Sequence, residues 1–255
     1  MTSDNKQKTI SAVETSFDIL EVLGDLEPAG VSAIAEQLNL STSTVFTHLY
    51  TLHELEYLVK EGTEYRRSLQ FLSDGGIIRQ RYKASQLLQD KVDELASITD
   101  EIAGAAVEEQ GQRVILSRSA GDMAAGDEIP VGNHTYMHWT SLGKVLLAHL
   151  PATRRSEIIE RHGLPRGTKQ TFTDKEKLEK ELEQIRQQGY AVDDEEHLRG
   201  VRGIAVPILD DERNVVSSIG ITGPRNRFGS SYLLKLLESL EYAKNEIEVR
   251  SSYQN

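Results

Sequence analysis

Between Ser11 and Leu69 three stretches of helical periodicity follow one another across short breaks, then end in a glycine turn between two strand-like runs. Few folds accept that order. Val13, Phe17, Leu20 and Leu23 recur at helical spacing within Ser11 to Leu26 and predict a core-facing stripe. Glu27-Pro28-Ala29-Gly30 breaks the pattern; a short helix with Ile34, Ala35 and Leu38 follows, and Asn39 suits the left-handed turn that ends it. Ser41 or Thr42 caps a third helix running to about Leu55, with Val45, Leu49, Leu52 and Leu55 along one stripe. Advancing about 100° per residue turns Ser43, Thr44, Phe46, Thr47, Tyr50 and Thr51 away from that stripe and leaves His48 at its border. Tyr57-Leu58-Val59-Lys60, the turn Glu61-Gly62-Thr63, and Tyr65-Arg66-Arg67-Ser68-Leu69 then read as a hairpin. Three helices and a hairpin predict a winged helix-turn-helix over residues 1–72, whose second motif helix enters the DNA major groove while the wing lies beside the backbone.

Candidate DNA contacts on the helix are therefore Ser41, Thr42, Ser43, Thr44, Phe46, Thr47, His48 and Tyr50. Residues 37–53 contain no Asp, Glu, Lys or Arg, so reading there falls to hydroxyls, aromatics and methyl contacts. Lys60, Arg66 and Arg67 are the only Lys or Arg between Lys8 and Arg79 and are expected to hold phosphate. Charge argues the other way: the chain carries −11, and twelve acids against five bases give residues 1–75 a balance of −7. A salt-rich cytoplasm, where the Debye length falls to about 3 Å near 1 M, would screen that repulsion, so a halophilic source is expected.

A long helix is predicted over Ser73 to Thr99, with Tyr82, Leu88, Val92 and Leu95 on one stripe. It would link two domains and pair with a second copy, giving the two-fold symmetry of palindromic DNA. Beyond it, strand candidates at Ile102 to Val107, Arg113 to Arg118, Glu128 to Tyr136, Tyr190 to Asp193, Gly203 to Leu209 and Val215 to Thr222 mix with four helices. A capping box of Thr173 and Glu176 is expected to open the third of these. The fold class is α+β: a winged helix-turn-helix (1–72), a linker and dimerisation helix (73–99), and an antiparallel-sheet domain (100–255).

Zero cysteines exclude disulfides, thiolate zinc sites and a cysteine nucleophile. No apolar run reaches the roughly 20 residues of a membrane span, and the start has no export signal, so a cytoplasmic location is expected. GxSxG, HExxH, GxxxxGK[ST] and GxGxxG are all missing, so no enzyme activity, cofactor or metal is expected. His134 and His138 stand four apart without a third ligand, and the run Asp194-Glu195-Glu196-His197 reads as a solvated loop. The start of the helix at Ser141 to Gly143 could direct N–H groups at an anion.

Three blocks give the chain a family likeness: Ser141-Leu142-Gly143-Lys144-Val145-Leu146-Leu147-Ala148; Gly189-Tyr190-Ala191-Val192-Asp193 through Gly200-Val201-Arg202-Gly203-Ile204-Ala205-Val206-Pro207; and Ile219-Gly220-Ile221-Thr222-Gly223-Pro224. With Leu40-Ser41-Thr42-Ser43-Thr44-Val45 and the Tyr65 wing, the chain resembles the IclR family of transcription regulators. That resemblance implies a GAF-like effector-binding domain, dimers that pair into tetramers, and control of a catabolic operon by a small carboxylate, aromatic acid or sugar-derived metabolite. It implies effector contacts at Ser141, Leu142, Gly143, Asp193, Gly203, Gly220 and Thr222. Gly203 stands where cysteine is common, implying a wider pocket, and Thr47 where the recognition helix often has arginine, implying different operator contacts. A ligand-independent DNA-binding or interaction protein with a non-sensing C-terminal domain stays open as an alternative, as does an unrecognised hydrolase.

Overall fold

The computed structural model describes residues 8–82, 84–124 and 129–252, and the chain divides into two compact units at Ile78/Arg79. The first holds α1 (Ser11–Leu26), β1 (Ala29–Gly30), α2 (Val31–Leu38), α3 (Thr42–Glu54), β2 (Leu58–Glu61) and β3 (Glu64–Arg67). The boundary falls inside α4 (Gln70–Gln80). Ile19, Leu23, Ile34, Ala35, Val45, Leu49, Leu58 and Tyr65 close one core. Asn39 ends α2 at φ 53°, its N–H reaching the Ala35 and Glu36 carbonyls, and Gly62 at φ 64° lets β2 reverse into β3. The three strands pair antiparallel in the order β1-β3-β2, completing a winged helix-turn-helix.

The predicted stripe of α1 is corrected. Val13 and Phe17 are 50% and 66% exposed, while Ile19 and Leu23 are fully buried, because α2 and α3 cover only the C-terminal half of the helix. Leu55, expected on the α3 stripe, follows the end of that helix and is exposed.

The first element wholly within the second unit is α5 (Ser85–Thr99), so the single helix expected over residues 73–99 is two helices, one ending at Gln80 and the other starting at Ser85. The cause is packing: Leu88, Val92, Leu95 and Ala96 of α5 are buried against the sheet of their own unit, so that stripe is not free to pair with another copy. After α5 come β4 (Ile102–Glu109), β5 (Gln112–Ala120), β6 (His134–Tyr136), α6 (Ser141–His149), α7 (Ala152–His162), α8 (Lys175–Gln188), β7 (Ala191–Asp194), β8 (Val201–Leu209), β9 (Val215–Pro224) and α9 (Ser230–Ser252). The strand expected from Glu128 shrinks to three residues; Glu128 lies outside the described residues, and a turn from Pro130 to Asn133 with Gly132 at φ 87° precedes β6. Asp174, not Thr173, caps α8, its carboxylate accepting from the Lys177 N–H at 2.9 Å.

All six strands run antiparallel in the order β6-β5-β4-β9-β8-β7. Alternate side chains feed two cores. Val107, Leu116, Val206 and Ile219 meet α5 and α9 on one face, while Ala106, Ile115, Ala191 and Ala205 meet α6, α7 and α8 on the other. No helix among the described residues is long and apolar enough to cross a membrane.

Candidate functional site

On α3, Ser41 caps the helix by accepting the Thr44 N–H at 3.1 Å and lies 2.8–2.9 Å from the Thr44 and Ser43 hydroxyls. Thr47 turns its hydroxyl back onto the Ser43 carbonyl at 2.9 Å, which leaves its methyl as the outward group. Ser43, Thr44, Phe46, Thr47 and Tyr50 are all exposed, and the Phe46 and Tyr50 rings stack with centroids 6.3 Å apart. His48 behaves differently. Its Nδ1 meets the Ser16 hydroxyl at 2.8 Å, tying α3 to α1.

Alternation along β3 puts Arg66 and Arg67 on opposite faces of the hairpin, with Lys60 on the Arg67 side. Arg67 gives its backbone N–H, Nε and Nη2 to both oxygens of Glu27 at 2.9–3.2 Å, bracing β3 against the C-cap of α1. That guanidinium holds the Glu27 carboxyl below its usual range. Arg66 faces the other way and pairs with Glu61 at 2.8 Å, both exposed, while Lys60 lies 5.5 Å over the Tyr65 ring. All three cations thus stay at the surface, the Arg66 and Arg67 side chains equally exposed at 42%, and Arg67 is the one held by both oxygens of a carboxylate.

In the second unit a cavity of about 100 Å³ opens under the N-terminus of α6. Ser141, Leu142, Asp193, Gly220 and Thr222 line it, among the residues the sequence analysis named. Gly143 and Gly203 do not. Gly143 is fixed by packing, since a Cβ there would stand 2.3 Å from the Met137 carbonyl oxygen, and its N–H is taken by the Thr140 hydroxyl at 3.1 Å. That cap leaves the N–H groups of Ser141 and Leu142 as the first two of α6, with no backbone partner among the described residues. Gly203 sits one layer behind the wall: a Cβ there would meet the Ser141 and Thr222 hydroxyls at 3.0 and 3.4 Å.

Asp193 is held from behind. Its Oδ1 accepts the Glu196 N–H at 2.8 Å, and burial lifts its carboxyl to about 6 against the pull of that N–H and of Lys144. Glu196, expected in a solvated loop, is buried instead, with both oxygens within 2.8 Å of Lys144 Nζ. Lys144 is wholly buried, reaches Glu181 at 3.1 Å and lies 5.2 Å from the Phe172 ring. Burial pushes the Glu196 carboxyl up to about 8 while Lys144 opposes it. Thr168 and Thr171 hydroxyls donate to the Glu195 and Glu196 carbonyls at 2.6 Å. Together these contacts hold the turn that brings His197 and Leu198 to the cavity.

Arg113, Ile102, Ile115, Ile129, His197 and Leu198 are lining residues the sequence analysis missed. The local signal was an arginine two residues before Ile115, which alternation along the strand puts on the same face. His138 is buried with Nε2 at 3.0 Å from the Pro165 carbonyl, while His134 lies exposed on β6, so the two do not form a pair. Among the described residues no three His, Cys, Asp or Glu converge as a metal set.

The sequence profile of the IclR helix-turn-helix domain matches residues 12–62, and that of the bacterial transcriptional regulator IclR C-terminal domain matches residues 80–249. The HTH-type transcriptional regulator KdgR of Escherichia coli K12 is 28% identical over 252 residues, spanning 98% of this chain and 96% of that protein. The crystal structure of the Thermotoga maritima IclR superposes with a TM-score of 0.81 at 24% identity, covering 96% of this chain and 100% of that one. A double mutant of the PobR inducer-binding domain from Acinetobacter, solved with 3-hydroxybenzoic acid, matches with a TM-score of 0.59 at 30% identity over 64% of this chain and 96% of that one.

Proposed function

Because the chain belongs to the IclR family of transcriptional regulators, we propose that residues 1–72 read an operator through α3 and that residues 100–255 sense a small acid in the cavity beneath α6. The protein is a DNA-binding transcription regulator with an effector-binding domain and not an enzyme. One observation carries the sensing assignment: Ser141, Leu142, Asp193, Gly220 and Thr222, drawn from three separate elements, converge on one cavity. The acid complex of the PobR inducer-binding domain supports a carboxylate as the ligand class.

Readout falls to Ser43, Thr44, Phe46, Thr47 and Tyr50, with Ser41 and Thr42 at the helix start, His48 as a support, and Lys60 and Arg66 on phosphate. The exposed Phe71, Leu72, Ile77 and Ile78 of α4 support pairing of two copies there, in place of the α5 stripe. The setting is cytoplasmic, and the acid excess of residues 1–75 supports a salt-rich one.

Genome-wide mapping of bound DNA tests this reading: the bound sites name an operon, and its metabolites are screened for release of operator. Asp193→Ala and Thr222→Ala should bring the ratio of operator affinities with and without the active metabolite close to one. Equal ratios in wild type and both variants would remove these residues from the pocket, and a panel without any active metabolite would sink the sensing role.

A further inference from the structure

Among the described residues, Arg113 is a buried charge with a donor left unmet. It is 2% exposed, its Nε donates to the Thr135 hydroxyl at 3.0 Å, and its Nη1 is buried with no hydrogen-bond partner. An ionised donor shut away from water without an acceptor is costly, and natural interiors rarely leave one so. Its cross-strand neighbour does not relieve it: Glu108 spends its carboxylate on Arg154 at 2.8 Å and on the Gly111 N–H at 2.6 Å. Burial lowers the Arg113 pKa to about 10 with no carboxylate working against it, and the group stays a cation at neutral pH.

Its position in the sheet gives the cavity a direction. At the Ile102 level of β4 stand Thr222 and, through Gly203, Asp193, with the Ser141 hydroxyl close above. At Gly104, a Cβ would touch the Leu142 and Ile115 side chains at 3.9 and 4.0 Å, and Arg118, paired across from Gly104, also lines the cavity. Arg113 enters from the Glu108 level, on the same face as Ile115, and lines the same space. Hydroxyls and a carboxylate therefore mark one end, and a guanidinium with a buried, unpaired Nη1 the other. An anionic group placed at the first end would meet Asp193; at the second it would meet donors already stripped of water.

We propose that Arg113 is the anion seat of this cavity, and that the effector is a small hydroxycarboxylate with its carboxylate on Arg113 and its hydroxyl end at Ser141, Asp193 and Thr222. The assignment rests on the sensing role given above to the second unit.

The test is calorimetric titration of the full chain with 3-hydroxybenzoate and with D-gluconate, each beside its uncharged amide, so that aromatic and sugar-derived acids are told apart. Wild type should bind one of the acids about ten- to a hundredfold more tightly than its amide. In Arg113→Met the acid should fall to the level of the amide, while the ligand-free variant unfolds at the same temperature as wild type or higher, since the orphaned donor is gone. Arg113→Lys keeps the charge without the fork and should retain a reduced preference for the acid, which keeps the assignment testable if the methionine variant fails to fold. An undiminished preference for the acid in Arg113→Met would place the anion elsewhere, at the α6 N–H groups or at Arg118. Loss of acid and amide binding together with a lower unfolding temperature would make Arg113 a structural residue. Failure of both acids to bind wild type would overturn the hydroxycarboxylate assignment alone, whereas the sensing role falls only if no metabolite releases operator.

Discussion

Asp193 and Glu196 are three residues apart, yet the fold treats them differently. Glu196 is set against a buried ammonium, while Asp193 has only N–H groups and a more distant Lys144 to offset its burial. A carboxyl raised from 3.8 to about 6 favours the folded state most when protonated, so that contribution is fully present below pH 4 and is lost as pH rises through about 6. Against Asp193→Asn, the wild type should therefore lose stability between about pH 4 and 6, by on the order of 3 kcal/mol across the window, in chemical denaturation. A difference that stays flat over that range would mean the carboxyl titrates normally. On the wing, Arg67→Ala should cost no more than about 1 kcal/mol of stability and leave the salt dependence of DNA binding unchanged, because its partner is Glu27. A shallower salt slope in that variant would show that Arg67 reaches phosphate after all.

At the scale of elements, α3 and the hairpin carry the clearest expectation. Thr47→Ala removes an outward methyl and Phe46→Ala breaks the stack on Tyr50, so both should alter operator sequence preference, read by selection from a randomised operator library. Unchanged preference in both would move base readout off this face. These elements were legible in the sequence because their signals are local: a left-handed Asn39, a Ser41 cap and a Gly62 turn each act within a few residues. The break between α4 and α5 was not, since Arg81 to Ala84 contains neither Gly nor Pro and the apolar period runs on across it. Nor did periodicity reveal that the partners of α1 stop short of Val13 and Phe17. The Lys144–Glu196 pair closes over 52 residues of chain, and Arg113 meets α6 residues at the cavity only through the packed sheet, so neither had a local signature.

For the whole molecule, the electrostatic cost of approaching DNA falls on a unit with a balance of −7 over residues 1–75. With Lys60 and Arg66 as the two wing cations available per copy, a two-copy complex should show log affinity falling against log salt with a slope no steeper than about −4, compared with about −10 for a repressor that makes many phosphate contacts. Titrating operator binding over a range of salt measures it, and a much steeper slope would mean that further cations reach the backbone. The six-stranded sheet carries a different consequence. Its outermost strands, β6 and β7, span three and four residues, so each of these two strands offers only about 10–13 Å of backbone for a foreign strand to add to. Outermost strands this short are poor templates for edge-to-edge stacking into fibrils, so crowded copies should meet through helical surfaces instead.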